Sequence, residues 1–261
     1  MKCDLIIKRL EEEIPVSLAE SWDNPGLQVG RRDAEVQKIY LALDATDGVI
    51  AHCAQTGADL LITHHPLLMG GVKKVNSDDF HGRKILTMIE NHIAHYAMHT
   101  NYDVAFMGKV CSNYLQLTDL VPLEETGTDD QGEPIGIGTV GILPREMTAR
   151  ECCGCVKKAF SLEHVRIFGD PGKKVLRAAL CPGSGKSLVH CALAKQADIY
   201  ITGDMGHHDG IDAVDQGLVV LDAGHYGVEH VFIAWMEAFL KREFPELEVL
   251  CEEIQEPFLV V

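Results

Sequence analysis

The chain has 261 residues, 46% of them hydrophobic, enough apolar surface to close one large α/β domain or two packed lobes without covalent staples. Its formal net charge of −16, with Lys and Arg in no long run, argues against a nucleic-acid or anionic-membrane surface, because phosphate binding of that kind needs clustered cations. Nine scattered cysteines argue against a disulfide framework, and no apolar run approaches the ~20 residues needed to span a bilayer, so a cytoplasmic protein is expected.

Apolar spacing at Leu5, Ile6, Leu10 and Ile14 predicts a helix over residues 2–13, ended by Pro15. Asn24-Pro25-Gly26 is turn chemistry. A buried strand is expected over 39–43, with Asp44 and Thr46 suited to cap a helix from Asp47, then a strand over 60–63, a helix over 82–92 and a strand over 93–98. Residues 118–134, rich in Asp, Glu, Gly and Pro, read as a linker between lobes 1–117 and 135–261, and too short to hold a third domain. In the second lobe, strands are expected over 136–143, 165–168, 175–180, 199–202 and 218–222. Helices are expected over 148–161, 184–195, from Gly206, and over about 227–242. Strands alternating with helices imply parallel pairing. The expected fold class is α/β, with two similar interlinked lobes, mostly parallel strands and a metal site in the cleft between them.

Metal-ligand chemistry recurs in both halves. His52-Cys53-Ala54 leads through Ala58-Asp59 to Leu60-Leu61-Ile62-Thr63 and then His64-His65; His190-Cys191-Ala192 leads through Ala197-Asp198 to Ile199-Tyr200-Ile201-Thr202 and then Gly203-Asp204 and His207-His208. Each half also has a histidine followed four residues on by a carboxylate: His99 with Asp103, and His225 with Glu229. Two adjacent imidazoles at the end of an apolar strand, stopped by Pro66, suit metal ligation better than core packing, where both would need buried partners. His225 and Glu229, at i and i+4, share a helix face and can ligate together; the plainer alternative is an exposed histidine and a glutamate facing the helix dipole. Asp103 either caps a helix or bridges two cations. His99 either binds metal or orients a ligand by a hydrogen bond. Nitrogen and carboxylate donors suit zinc, manganese, iron, nickel or cobalt.

Other motifs point to plainer roles. Pro182-Gly183-Ser184-Gly185-Lys186-Ser187 resembles a phosphate loop but has Leu180 where the first glycine is required. Lys73-Lys74 reads as a solvated loop face, with phosphate contact as the alternative. Cys152-Cys153-Gly154-Cys155 reads as small apolar residues of a helix, since no second cysteine cluster completes a tetrahedral site.

The chain resembles the NIF-three-like family, the GTP cyclohydrolase I type 2 homologues. The resemblance rests on Trp22-Asp23-Asn24-Pro25-Gly26-Leu27-Gln28-Val29-Gly30, Asp59 to Leu67, His99-Thr100-Asn101-Tyr102-Asp103, Ile201-Thr202-Gly203-Asp204 with His207-His208, and Asp222 to Glu229. It implies a dinuclear metal centre with His64, His65, Asp103, His225 and Glu229 as ligands to two divalent ions, and a ring-shaped homohexamer. Asp44 and Asp204 are expected to support the ligands, and His99, His207 and His208 to shuttle protons. Asp204 stands where the family often has Glu, and Gly227 where Thr or Ser is common. The expected function is metal-dependent hydrolysis of a nucleotide or another small heterocyclic or phosphorylated metabolite. The alternative is a non-enzymatic metal-binding or metal-delivery protein, or an oligomeric scaffold.

Overall fold

The computed structural model describes residues 1–260. They form two compact units, one of Met1–Tyr102 with Phe232–Ile254, the other of Asp103–Val231 with the residues from Gln255 onward. No helix among the described residues is long and apolar enough to cross a membrane.

The first unit opens with α1 (Cys3–Glu13), whose Cys3, Ile6, Ile7 and Leu10 are buried as the apolar spacing requires. Strand β1 (Gly26–Val29) follows the Asn-Pro-Gly turn, and then β2 (Lys38–Ala42), α2 (Asp47–Thr56), β3 (Leu60–Thr63), α3 (Phe80–Glu90), β4 (Ala94–Ala97) and the short α4 (Thr100–Tyr102) alternate. Thr46 caps α2 by accepting from Val49 N at 3.1 Å, and Gly57, at φ 69°, closes it in the left-handed conformation that glycine adopts without a Cβ clash.

The second unit begins with a π-helical turn over Asp103–Met107 and α5 (Gly108–Tyr114), followed by β5 (Thr118–Thr128), β6 (Pro134–Thr148), α6 (Ala149–Ala159), β7 (Arg166–Phe168) and β8 (Lys174–Ser184). It continues with α7 (Val189–Ala194), β9 (Ile199–Gly203), α8 (His207–Asp215), β10 (Val219–Asp222) and α9 (His225–Glu229). Helix α10 (Val231–Glu243) and β11 (Glu248–Cys251) then return the chain to the first unit.

The first sheet has the order β1-β4-β3-β2-β11, and all its pairs are parallel except β1 with β4. Every residue of β3 and β4 is buried, the pattern of parallel strands covered on both faces. The second sheet has the order β5-β6-β8-β9-β10-β7; its centre β8-β9-β10 is parallel, and its flanks are antiparallel. The repeat read in the sequence has an atomic counterpart. Asp59 Oδ2 accepts from Gln37 N at 2.8 Å and Lys38 N at 2.9 Å, clamping the start of β2. Asp198 Oδ2 accepts from Leu176 N at 2.9 Å and Arg177 N at 2.8 Å on β8.

Residues 118–134 are not a linker. They form β5 and the turn into β6, antiparallel with Val121 opposite Val140 and Thr128 opposite Pro134. An edge strand with one ladder partner tolerates charge and proline, and only Leu123 of β5 is buried. The polar composition thus belongs to an exposed sheet edge. The chain passes between units at Tyr102/Asp103, Val231/Phe232 and Ile254/Gln255 instead, so the expected lobe limits 1–117 and 135–261 do not match the compact units.

Candidate metal centre

In the first unit, parallel register aligns Thr63 of β3 with Ala97 of β4, so the residues just past both strand ends emerge side by side at the carboxyl edge. Met98 N donates to Thr63 O and His65 N to Leu43 O, each at 3.0 Å, fixing the backbone where the side chains diverge. His64 Nδ1 donates to Met98 O, His65 Nδ1 to Asp44 Oδ1 and His99 Nδ1 to Asp23 Oδ1, all at 2.8 Å. A carbonyl or ionised carboxylate only accepts, so each Nδ1 carries a proton, and each ring when neutral keeps its lone pair on Nε2. Ligand atoms of His64, His65 and His99 lie within 4.8 Å of one another. Three nitrogen donors of one tautomer, each backed by an oxygen, fit a divalent transition metal.

Asp23, named in the sequence only within the segment Trp22 to Gly30, holds more than the His99 ring. Besides His99 it accepts from Thr100 N at 3.0 Å, Thr100 Oγ1 at 2.5 Å and Asn24 N at 2.7 Å. Burial pushes its carboxyl up, but the hydrogen bonds from His99 and Thr100 outweigh that and hold it at about 2. Asp23 is therefore ionised at neutral pH and keeps the His99 ring in register. One layer deeper, His95 Nε2 donates to Thr63 Oγ1 at 2.8 Å, and Thr63 Oγ1 donates to His65 O at 2.7 Å. Burial pushes His95 down to about 3, so it is a neutral imidazole, and its Nδ1 has no partner among the described residues.

In the second unit, α9 presents His225 and Glu229 one turn apart, with His225 Nε2 3.0 Å from Glu229 Oε2. His225 Nδ1 faces Asp204 Oδ2 at 2.8 Å. With Nδ1 donating to Asp204, the Nε2 lone pair would meet a second acceptor at Glu229, so this pair calls for an imidazolium proton or a cation between its members. Asp204 itself has φ 52°, left-handed backbone that Asp tolerates and that functional turns often hold.

Three features shape this turn that the sequence did not announce. Gly183, at φ 72°, lies so close that a Cβ there would overlap the Glu229 carboxylate, and a Cβ on Gly203 would come within 2.6 Å of His225 N. The first half of the phosphate-loop look-alike is thus the end of β8, small at Gly183 because a carboxylate lies against it. Asp222, 3% exposed, accepts from Met205 N at 2.9 Å, from Gly224 N at 3.0 Å and from Arg166 Nη2, tying the loops of Asp204 and His225 together.

Asp103 is half-buried and opens the π-helical turn, inside the helical run that starts at Thr100. Burial raises the thiols of Cys111 and Cys181, and Asp103 and Glu229 raise both further, so the two carboxylates bear on the same buried neighbourhood. His207 and His208 stand exposed on the first turn of α8, ring against ring at 5.1 Å, in neither ligand cluster. Lys73 and Lys74 are exposed, and Cys152, Cys153 and Cys155 are free thiols on α6.

The profile of the Duf34/NIF3 (NGG1p interacting factor 3) family matches residues 1–257. A Clostridium perfringens protein described as a GTP cyclohydrolase 1 type 2 homolog is 34% identical, with 99% of each chain covered. Among solved structures, a Bacillus cereus protein related to NIF3 superposes with a TM-score of 0.91 at 23% identity, covering 100% of this chain and 99% of that one, a likeness of fold. Reduced HcgD from Methanocaldococcus jannaschii superposes with a TM-score of 0.83 at 32% identity, covering 96% of this chain and 97% of that one.

Proposed function

Because the chain belongs to the Duf34/NIF3 family, we propose that His64, His65, Asp103, His225 and Glu229 hold two divalent metal ions and that the protein is a metal-dependent hydrolase. Its substrate in this reading is a nucleotide or another small heterocyclic or phosphorylated metabolite, GTP being the one suggested by the relatives' description. The observation that carries the reading is the shared tautomer of His64, His65 and His99, each Nδ1 committed to an oxygen at 2.8 Å.

When bound, divalent ions would supply Lewis-acid activation of water and of the bond under attack. The protein's own residues do the rest. Asp44 and Asp204 orient His65 and His225 by accepting at Nδ1, which raises the basicity of Nε2. Asp23 does the same for His99, leaving its Nε2 to accept and return a proton. Tyr102 and Phe232, both buried, pack against the His64 ring at centroid distances of 6.0 and 5.4 Å and shield that edge from water. The cytoplasm, where thiols stay reduced, suits nine free cysteines. A homohexamer is part of the same proposal.

The deciding experiment is metal content per chain on protein purified without a metal-affinity tag, followed by turnover of nucleotides and cyclic amides before and after chelation. Two ions and chelator-sensitive turnover are expected. Two ions with no turnover would move the assignment to metal delivery or a scaffold, and no metal would end it. Light scattering at micromolar concentration reads the assembly, with six chains expected.

A further inference from the structure

The catalytic reading leaves Trp22 without a task. It is 59% exposed, yet the loop that carries it is fixed on two sides. Behind it, Asp23 holds His99 and Thr100. Ahead of it, Asn24 Nδ2 donates to Leu68 O at 2.6 Å, Gln28 Nε2 donates to Asn24 O at 2.6 Å, and Gln28 Oε1 accepts from Leu68 N at 3.1 Å. The two bonds to Leu68 tie the loop to the segment that follows His64-His65-Pro66, and the third closes the loop on itself. The indole itself meets the His99 ring edge-on, with centroids 5.9 Å apart and planes at 77°. Of the exposed large apolar side chains among the described residues, Trp22 is the one in ring contact with the three-histidine cluster.

We propose that Trp22 is a stacking platform for a planar heteroaromatic ring of the small molecule handled at the histidine cluster. The proposal rests on the hydrolase reading only for what is done to that molecule. A flat ring stacks on an indole through dispersion and quadrupole complementarity, and a rigid loop makes the stack cheap because little ordering remains to be done on binding. The platform lies one ring's breadth from His99, so a stacked ring has its edge at the rim of the cluster. Stacking accepts any base, since every base has a π-face, which accords with a sequence that carries no base-reading motif. It also explains why an indole stands in water next to polar, reactive groups, where a loop with no ligand to meet would gain nothing from it.

The test is fluorescence titration of full-length protein carrying Trp235→Phe, which leaves Trp22 as the only tryptophan. GMP, UMP and nicotinamide mononucleotide are the ring probes, and ribose 5-phosphate is the control without a ring. At least one ring probe should quench the emission saturably while ribose 5-phosphate does not. By calorimetry in the background that retains Trp235, Trp22→Ala should weaken that probe's binding about tenfold or more, and Trp22→Phe should retain most of it. Equal quenching by ribose 5-phosphate, unchanged affinity in Trp22→Ala, or no response to any ring at millimolar concentration would overturn the proposal. Emission that changes with protein dilution and not with the probes would assign Trp22 to a contact between copies and overturn it as well. Running the titration on chelated protein separates the two readings: ring binding that survives without metal stands whether or not the protein hydrolyses anything.

Discussion

A glycine beside a carboxylate and a fully buried histidine make sharp demands on this structure. Gly183→Ala places a methyl group where the Glu229 carboxylate lies and forces a residue with a Cβ to φ 72°. It should cost about 1–3 kcal/mol of stability and lower metal content, read by urea unfolding and elemental analysis; a variant with unchanged metal content would mean that Glu229 is not a ligand. His95 makes a different demand. Its folded value of about 3 lies below the ordinary 6.5, so between those limits the unfolded chain binds the extra proton. Its contribution to stability is complete above pH 6.5 and is lost as pH falls toward 3, by up to about 1.4 kcal/mol per pH unit. Urea midpoints of chelated protein at pH 7, 6 and 5 should fall accordingly, and His95→Gln should flatten the slope. The histidine pair was legible because two imidazoles before a proline have few structural uses. Asp23 and Asp222 were not, because an aspartate in a turn looks the same whether it caps a loop or holds an imidazole.

Among the elements, helices with strong ends were the easiest to place. Helix α6 begins where Thr148 and Glu151 form a reciprocal capping box: Glu151 N donates to Thr148 Oγ1 at 3.2 Å, and Thr148 N donates to Glu151 Oε2 at 2.7 Å. Thr148→Ala should cost about 1 kcal/mol by urea unfolding and leave metal content unchanged, since α6 carries none of the proposed ligands. The buried parallel strands were legible as short apolar runs before polar turns. Strand β5 was not: with Leu123 its only buried residue, a sheet edge and a linker have nearly the same composition. The π-helical turn at Asp103 escaped for another reason, because helical periodicity carries no mark of one extra residue in a turn. The place of a proposed carboxylate ligand thus depends on a backbone detail below the resolution of pattern reading.

For the whole molecule, the charge of −16 has an energetic side. A chain this acidic gains from cations placed among its carboxylates, and ions that bind the folded state alone stabilise it by mass action. Each ion at a hundred times its dissociation constant is worth about 2.7 kcal/mol, so chelation should lower the melting temperature by about 5–10 °C per ion in a protein of this size. Differential scanning calorimetry with and without chelator reads this directly; an unchanged melting temperature would leave no metal-dependent stabilisation to explain. The order of elements has a consequence for how the chain is made. Strand β11 completes the first sheet by pairing Glu248 to Cys251 with Lys38 to Leu41, yet it is made only after the rest of that sheet and the whole of Asp103–Val231. At ribosomal speeds of about 5–20 residues per second, β2 waits roughly 10–40 s with one edge open. A nascent chain in that interval offers a bare strand to its neighbours, so the last sheet pairing to be synthesised is also the one that ends its exposure to misassembly.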